Sequence, residues 1–301
     1  MNSNSFRSNV KDELNRATNN YGNDYIFFIG AGFSKRYLNL PGWRDLLQQI
    51  LDIIESPYPV TFYEQSSYDL ISAAESISKE VHKWAWGVGK HLFPEEIFRS
   101  EINYHRFMKI LIAREIQKST INFSLSKMDT LLRQEIDLFK TINTHTLITT
   151  NYDNFLESIF GYPSVYGKDT VLHDTRKFGT VLKPHGCCNN PESIAIFPSD
   201  YEEISLKHQY FFSKILTFFA EKPIIIMGYS LSDPDIKEIL INVSNSLGKN
   251  ILDNVFYVAF DDEPSVWNND IFQINLDNKT SQCFIIKTKN YDWIFENLSS
   301  N

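Results

Sequence analysis

The fold this sequence predicts is an open α/β sheet, doubly wound and mainly parallel, with a helical insertion after its first strand. Three observations predict it. Short, continuous apolar runs of strand length recur along the chain, as expected for strands buried on both faces of a parallel sheet. After residue 144 these runs alternate with helical periodicity, the pattern of a wound α/β architecture. Between the first two runs lies a stretch of roughly a hundred residues with helical spacing only.

The first strand is 25–29, which runs into Gly30-Ala31-Gly32. The insertion follows, at about 43–140. Leu46, Leu47, Ile50, Leu51 and Ile54 mark one of its apolar faces, and Phe107, Ile110, Leu111 and Ile112 mark another. Further strands are predicted at 145–150, 180–183, 193–197, 223–227, 255–260 and 283–287, with helices at 201–220 and 235–247. Pro191, Pro198, Pro223 and Pro264 fall between elements, where the missing N–H is tolerated. No repeat, linker or low-complexity tract divides the chain, so residues 1–301 are expected to form a single domain.

Composition narrows the function classes. At 301 residues with 43% hydrophobic and 22% charged content, the chain can bury a full core without staples. No apolar run approaches the roughly 20 residues of a membrane span, and the first twenty residues are polar. A cytoplasmic location is therefore expected, with no membrane partner. The net charge of -8, without a basic run, makes nucleic acid a poor first candidate for direct binding. Three cysteines, Cys187, Cys188 and Cys283, supply neither a disulfide framework nor a four-thiolate zinc site, so no metal is expected.

In wound sheets, ligands sit outside the carboxyl ends of the strands. Four such ends carry chemistry here. Gly30-Ala31-Gly32-Phe33-Ser34 allows a sharp turn and close approach of a pyrophosphate to a helix N-terminus, or is simply a tight turn. Thr149-Thr150-Asn151-Tyr152-Asp153 offers side chains that bond a ribose or water, and Asn151 or Asp153 equally suits a helix cap. Lys183-Pro184-His185-Gly186 brings a histidine directly off a strand, placed for general-base work. Gly228-Tyr229-Ser230-Leu231-Ser232-Asp233 supplies a glycine, hydroxyls and a carboxylate before a helix, or a capped loop.

Taken in order, these four segments resemble the sirtuin-like, or silent-information-regulator-like, family. Leu40-Pro41-Gly42-Trp43-Arg44 is similar to the family's Ile-Pro-Asp-Phe-Arg segment, and Pro198-Ser199-Asp200-Tyr201 to a stretch found in bacterial members. The resemblance covers about residues 25–235. It implies a Rossmann-like fold and NAD as substrate. The four-cysteine zinc module of the protein deacylases is missing, Gly42 stands for an Asp, and Asn151 follows Thr150 where sirtuins have Gln-Asn. The departures resemble the branch that acts in antiphage defence by hydrolysing NAD to nicotinamide and ADP-ribose.

Carried over residue by residue, the resemblance implies His185, Asn151 and Asp153 as the catalytic group. It implies Gly30, Ala31, Gly32 and Ser34 at the pyrophosphate, Ser230 at phosphate or ribose, and Thr150, Gly228 and Asp233 as further NAD-binding residues. Trp43 would wall the nicotinamide side and Arg44 steady the nearby loop, or the two are plain core and surface contacts. An NAD-dependent deacylase and a non-catalytic NAD or ADP-ribose binder are the alternatives. Expected partners are a second copy of the chain or a separate sensor protein. Trp84, Trp86 and Phe93 are a contact surface or interior packing of the insertion.

Overall fold

The computed structural model describes residues 3–67, 69–99, 103–121, 124–166, 179–230, 234–261, 271–276 and 279–300. Its strands are β1 (Ile26–Ile29), β2 (Thr146–Thr149), β3 (Ser164–Tyr166), β4 (Thr180–Lys183), β5 (Ile224–Met227), β6 (Ile251–Phe260), β7 (Ile271–Leu276) and β8 (Lys279–Thr288). They form one sheet in the order β3-β4-β2-β1-β5-β6-β8-β7. Every neighbouring pair is parallel except β7 with β8. This is a Rossmann-like, doubly wound, mainly parallel sheet. From β1 the chain moves to β2 on one side and later returns to β5 on the other, which makes β1/β5 the switch point.

The central strands are buried on both faces, and the period of two sorts their side chains into two cores. Phe27, Ile29, Leu147, Val181, Ile225 and Met227 enter the first. There they meet helix α1 (Ser3–Tyr21) and the last helix, Asp292–Ser299. Ile26, Phe28, Ile148, Leu182, Ile224 and Ile226 enter the second, under two helices that follow β4 and β5. These are Pro198–Glu221 and Pro234–Leu247, close to the ranges expected.

The helical insertion is present, and most of its apolar residues form a third core, which Cys188, Ile194, Ile196 and Phe197 join from outside it. It contains helices Trp43–Ile53, Val60–Gln65, Leu70–Trp86, His105–Ile121 and Thr130–Phe139. The helix that leaves β1, Ala31–Leu38, precedes it. The aromatic trio divides. Phe93 is buried and packs edge-on against half-buried Trp84, whereas Trp86 is exposed and donates its indole N–H to His82 at 2.9 Å. Packing inside the insertion therefore explains two of the three.

Three readings of the sequence need correction. The run 193–197 is buried but is no strand. A 3-10 turn at Pro191–Ser193 leads into it, Ala195 donates its N–H to the His185 carbonyl, and Ile196 and Phe197 donate theirs to the Asp200 carboxylate. With those amides committed there is no ladder to form. Strands β3 and β7 were not expected. Helix α1 was not expected either, although Phe6, Val10, Leu14 and Ala17 keep a helical face in an otherwise polar segment. Among the described residues no helix is long and apolar enough to cross a membrane.

Candidate functional site

The switch point brings two glycine turns together. Gly30 donates its N–H to Met227 O at 2.8 Å and Gly32 to Gly228 O at 2.7 Å. A Cβ on Gly30 would lie 2.5 Å from Gly228 O, and one on Gly32 would lie 2.8 Å from the same atom. The glycines are thus demanded first by the contact between the β1 and β5 ends. Ala31 and Gly32 remain exposed at the N-terminus of helix Ala31–Leu38, but the Gly32 amide is already spent. The pyrophosphate cradle expected from Gly-Ala-Gly is therefore partly filled by protein backbone.

At the end of β2, Thr149 turns the chain by donating its hydroxyl to Ile29 O and accepting the Asn151 N–H. The Asn151 amide nitrogen donates to Gly30 O at 3.0 Å and to Ser34 Oγ at 2.9 Å. A carbonyl only accepts, so this network assigns the nitrogen and leaves Oδ1 as what Asn151 offers outward. Ser34 in turn donates to Asp153 Oδ2 at 2.8 Å, while Asp153 Oδ1 accepts the Phe155 N–H that opens helix Phe155–Phe160. Both Ser34 and Asp153 are buried. Their atoms are used in holding Asn151 and capping a helix, so the geometry assigns them positioning work. Direct contact of Ser34 with a phosphate, or of Asp153 with a reacting atom, is not what this arrangement presents.

At the end of β4, Gly186 takes φ +95°, and a Cβ there would lie 2.1 Å from Ser193 O. That close approach folds the residues after His185 back onto 193–195, where Ala195 N–H reaches the His185 carbonyl at 2.9 Å. Gly186→Ala is therefore expected to cost roughly 2 kcal/mol or more, from left-handed backbone plus a backbone clash. A denaturant midpoint equal to that of the wild type would contradict it.

The His185 ring stands edge-on to Tyr201, with centroids 5.5 Å apart. Both line a cavity of about 140 Å³ at the strand ends, together with Thr150, Tyr229, Glu238 and Asn242 and an apolar wall that includes Phe28 and Ile148. Thr150 Oγ1 lies 3.3 Å from the Tyr229 hydroxyl. Of the residues expected at the site, the fold brings Thr150 and His185 to one cavity, with Asn151 next in the chain. Tyr201, Tyr229, Glu238 and Asn242 were given no role from sequence. Tyr201 and Tyr229 stand inside the quoted motifs, while Glu238 and Asn242 become neighbours only through the i, i+4 spacing of their helix.

Other expected residues lie elsewhere. Arg44 is exposed and bonds Glu64 through two hydrogen bonds, 2.8 and 3.0 Å, so it steadies the insertion and does not line the cavity. Trp43 is half-buried and packs against the core that the insertion builds. Ser230 is exposed at the end of the β5 turn, where its carbonyl accepts from the Tyr257 hydroxyl. Asp233 falls outside the described residues.

Beneath the site, the Lys183 ammonium is fully buried, donating to Glu157 Oε1 at 2.9 Å and to Asp153 O. The buried Cys187 thiol is lowered to about 6, by a hydrogen bond from Cys188 and by the Lys183 charge, against its own burial. The same contact and burial push Cys188 up. Burial pushes Cys283 up to about 12. Among the described residues, no group of three His, Cys, Asp or Glu side chains gathers in a way that would hold a metal.

Fold and cleft together define a Rossmann-like α/β protein with a cavity at the carboxyl ends of its central strands. Within that class, the family model of the SIR2-like domain matches residues 145–280, from the start of β2 into β8. This supports a sirtuin-like domain and points to NAD-related activity. The matched span contains Asn151 and His185, and the Gly-Ala-Gly turn precedes it. No curated protein matches the chain.

Proposed function

We propose that this protein is an NAD hydrolase that cleaves the nicotinamide–ribose bond, releasing nicotinamide and ADP-ribose, and that it acts as an antiphage effector by depleting cellular NAD. The observation that carries the reading is the convergence of strand ends. His185 and Thr150 line one cavity, and the adjoining Asn151 is held through its amide nitrogen by Gly30 O and Ser34, which leaves Oδ1 outside those bonds.

Nicotinamide leaves readily because its ring nitrogen carries positive charge in NAD. The protein need supply only a positioned water and stabilisation of an oxocarbenium-like transition state. Asn151 Oδ1 accepts a hydrogen bond from that water or a ribose hydroxyl and so orients it. His185 takes the proton. Ala31 and Gly32 at the helix N-terminus, with Ser230 across the switch point, would face the phosphates and adenosine ribose.

Unrestrained hydrolysis would harm the host cell, so activity should depend on assembly or on a partner protein that favours the active state. Trp86 is one of the exposed aromatics of the insertion, with Tyr58 and Phe62, and suits such a contact. The test is free nicotinamide release from NAD by purified protein, with and without acylated peptide, across a range of protein concentration. Release without peptide, low in the monomer and rising on oligomerisation, is expected. Strict dependence on acylated peptide would show a deacylase, and no release under any condition a binding module. Full-rate turnover by monodisperse monomer would overturn the regulatory part.

A further inference from the structure

Helix His105–Ile121 of the insertion grips the segment that carries the site, using residues spaced to share one helical face. His105 stacks on Phe197, rings 3.8 Å apart and nearly parallel, and also bonds Glu75 at 2.9 Å. One turn on, Lys109 Nζ reaches Asp200 Oδ1 at 2.6 Å, with its side chain only 8% exposed. Two turns further, Gln117 donates to the Cys188 carbonyl at 2.8 Å. Arg106, beside this face, pairs with Glu192.

The segment so gripped includes both sides of the His185 contact. Asp200 uses its second oxygen to accept the N–H groups of Ile196 and Phe197, each at 3.0 Å, and the Tyr152 hydroxyl holds the Ala195 carbonyl at 2.7 Å. Ala195 N–H in turn holds the His185 carbonyl. Tyr201 follows Asp200 directly, and its ring meets the His185 imidazole edge-on. Breaking this pair would leave the Lys109 ammonium, only 8% exposed, without its countercharge, so the pair has one favoured arrangement.

We propose that Lys109 is a positioning residue for His185, acting through Asp200 to set Tyr201 against the imidazole. The insertion is thereby coupled to the cleft through this ion pair, beside the other contacts of the same helix. The functional consequence rests on the NAD-hydrolase reading, but the coupling itself does not. Small displacements of a reacting group cost large factors in rate, so loss of this strut should fall on kcat while KM stays nearly constant.

The experiment compares wild type with Lys109→Met, Lys109→Arg, Asp200→Asn and Tyr201→Leu in two readouts. The first is the imidazole proton resonance of His185, assigned by its loss in His185→Ala; the edge-on Tyr201 ring displaces it. Tyr201→Leu removes that displacement, and Lys109→Met and Asp200→Asn are expected to remove most of it, with Lys109→Arg restoring it. The second is nicotinamide release, where Lys109→Met should lower kcat about tenfold or more and add little to Tyr201→Leu. Should Lys109→Met prove unfolded, Asp200→Asn tests the same pair from its other end while an amide oxygen remains to cap Ile196 and Phe197. A wild-type His185 resonance in folded Lys109→Met or Asp200→Asn overturns the coupling. A displaced resonance with unchanged kcat overturns the positioning role. A wild-type protein that releases no nicotinamide removes the hydrolase reading and leaves the resonance to decide the coupling.

Discussion

His185→Ala is expected to lower nicotinamide release by about 100- to 10,000-fold, the usual worth of a positioned general base. The fold should survive, because the imidazole is half-buried on a cavity wall while the backbone of residue 185 makes the structural bond to Ala195 N–H. Asn151→Asp should lose activity to a similar degree for a different reason. The carboxylate keeps the shape of the amide but cannot donate to Gly30 O, so it would face a carbonyl at 3.0 Å and turn away. Melting temperature and initial rates measured together decide the matter. Folded His185→Ala that releases nicotinamide at the wild-type rate would show that the mechanism is wrong.

Lys183→Met should have the largest effect on stability, about 3–5 kcal/mol, the range for breaking a buried ion pair from one side. Without the ammonium, Glu157 is left with no countercharge at Oε1, and its Oε2 already lacks a hydrogen bond. Lys183→Met combined with Glu157→Leu should recover a large share of the loss, since an apolar replacement of both partners removes the stranded charge. Urea midpoints of the single and double variants test this, and a single variant as stable as the wild type would refute it.

The same group gives stability a pH dependence. Burial opposes the charged form of Lys183, but Glu157, Cys187 and Asp153 together outweigh burial and raise its pKa above the ordinary value. A raised lysine contributes fully below its unfolded pKa, about 10.4, and that contribution is lost as pH climbs through the higher folded value. Wild type should therefore weaken in that alkaline range, and the double variant should lack this component.

The wound sheet was legible because its strands are buried on both faces and so read as uninterrupted apolar runs. The insertion was legible because Leu46, Leu47, Ile50 and Leu51 form one face of a single helix. The run at 193–197 misled, since burial alone makes a segment apolar and only hydrogen-bond partners make it a strand. Helix α1 escaped attention because its buried face, Phe6, Val10, Leu14 and Ala17, is spread thinly over an otherwise polar segment.

For the candidate site, local sequence was sufficient to place Gly30, Asn151, His185 and Gly228 at the carboxyl ends of strands, because a strand's end is a property of the chain nearby. What Ser34 and Asp153 do was beyond it. They lie 119 residues apart and meet only when β1 and β2 pair, and that meeting turns a serine and an aspartate into a support for Asn151. Likewise Lys109 and Asp200 are separated by 91 residues, and nothing local to either announces the other. Periodicity and turn chemistry act over a few residues and are written in the chain. Which polar groups are spent on one another and which remain for a ligand depends on distances across the fold, and the tertiary structure alone decides those.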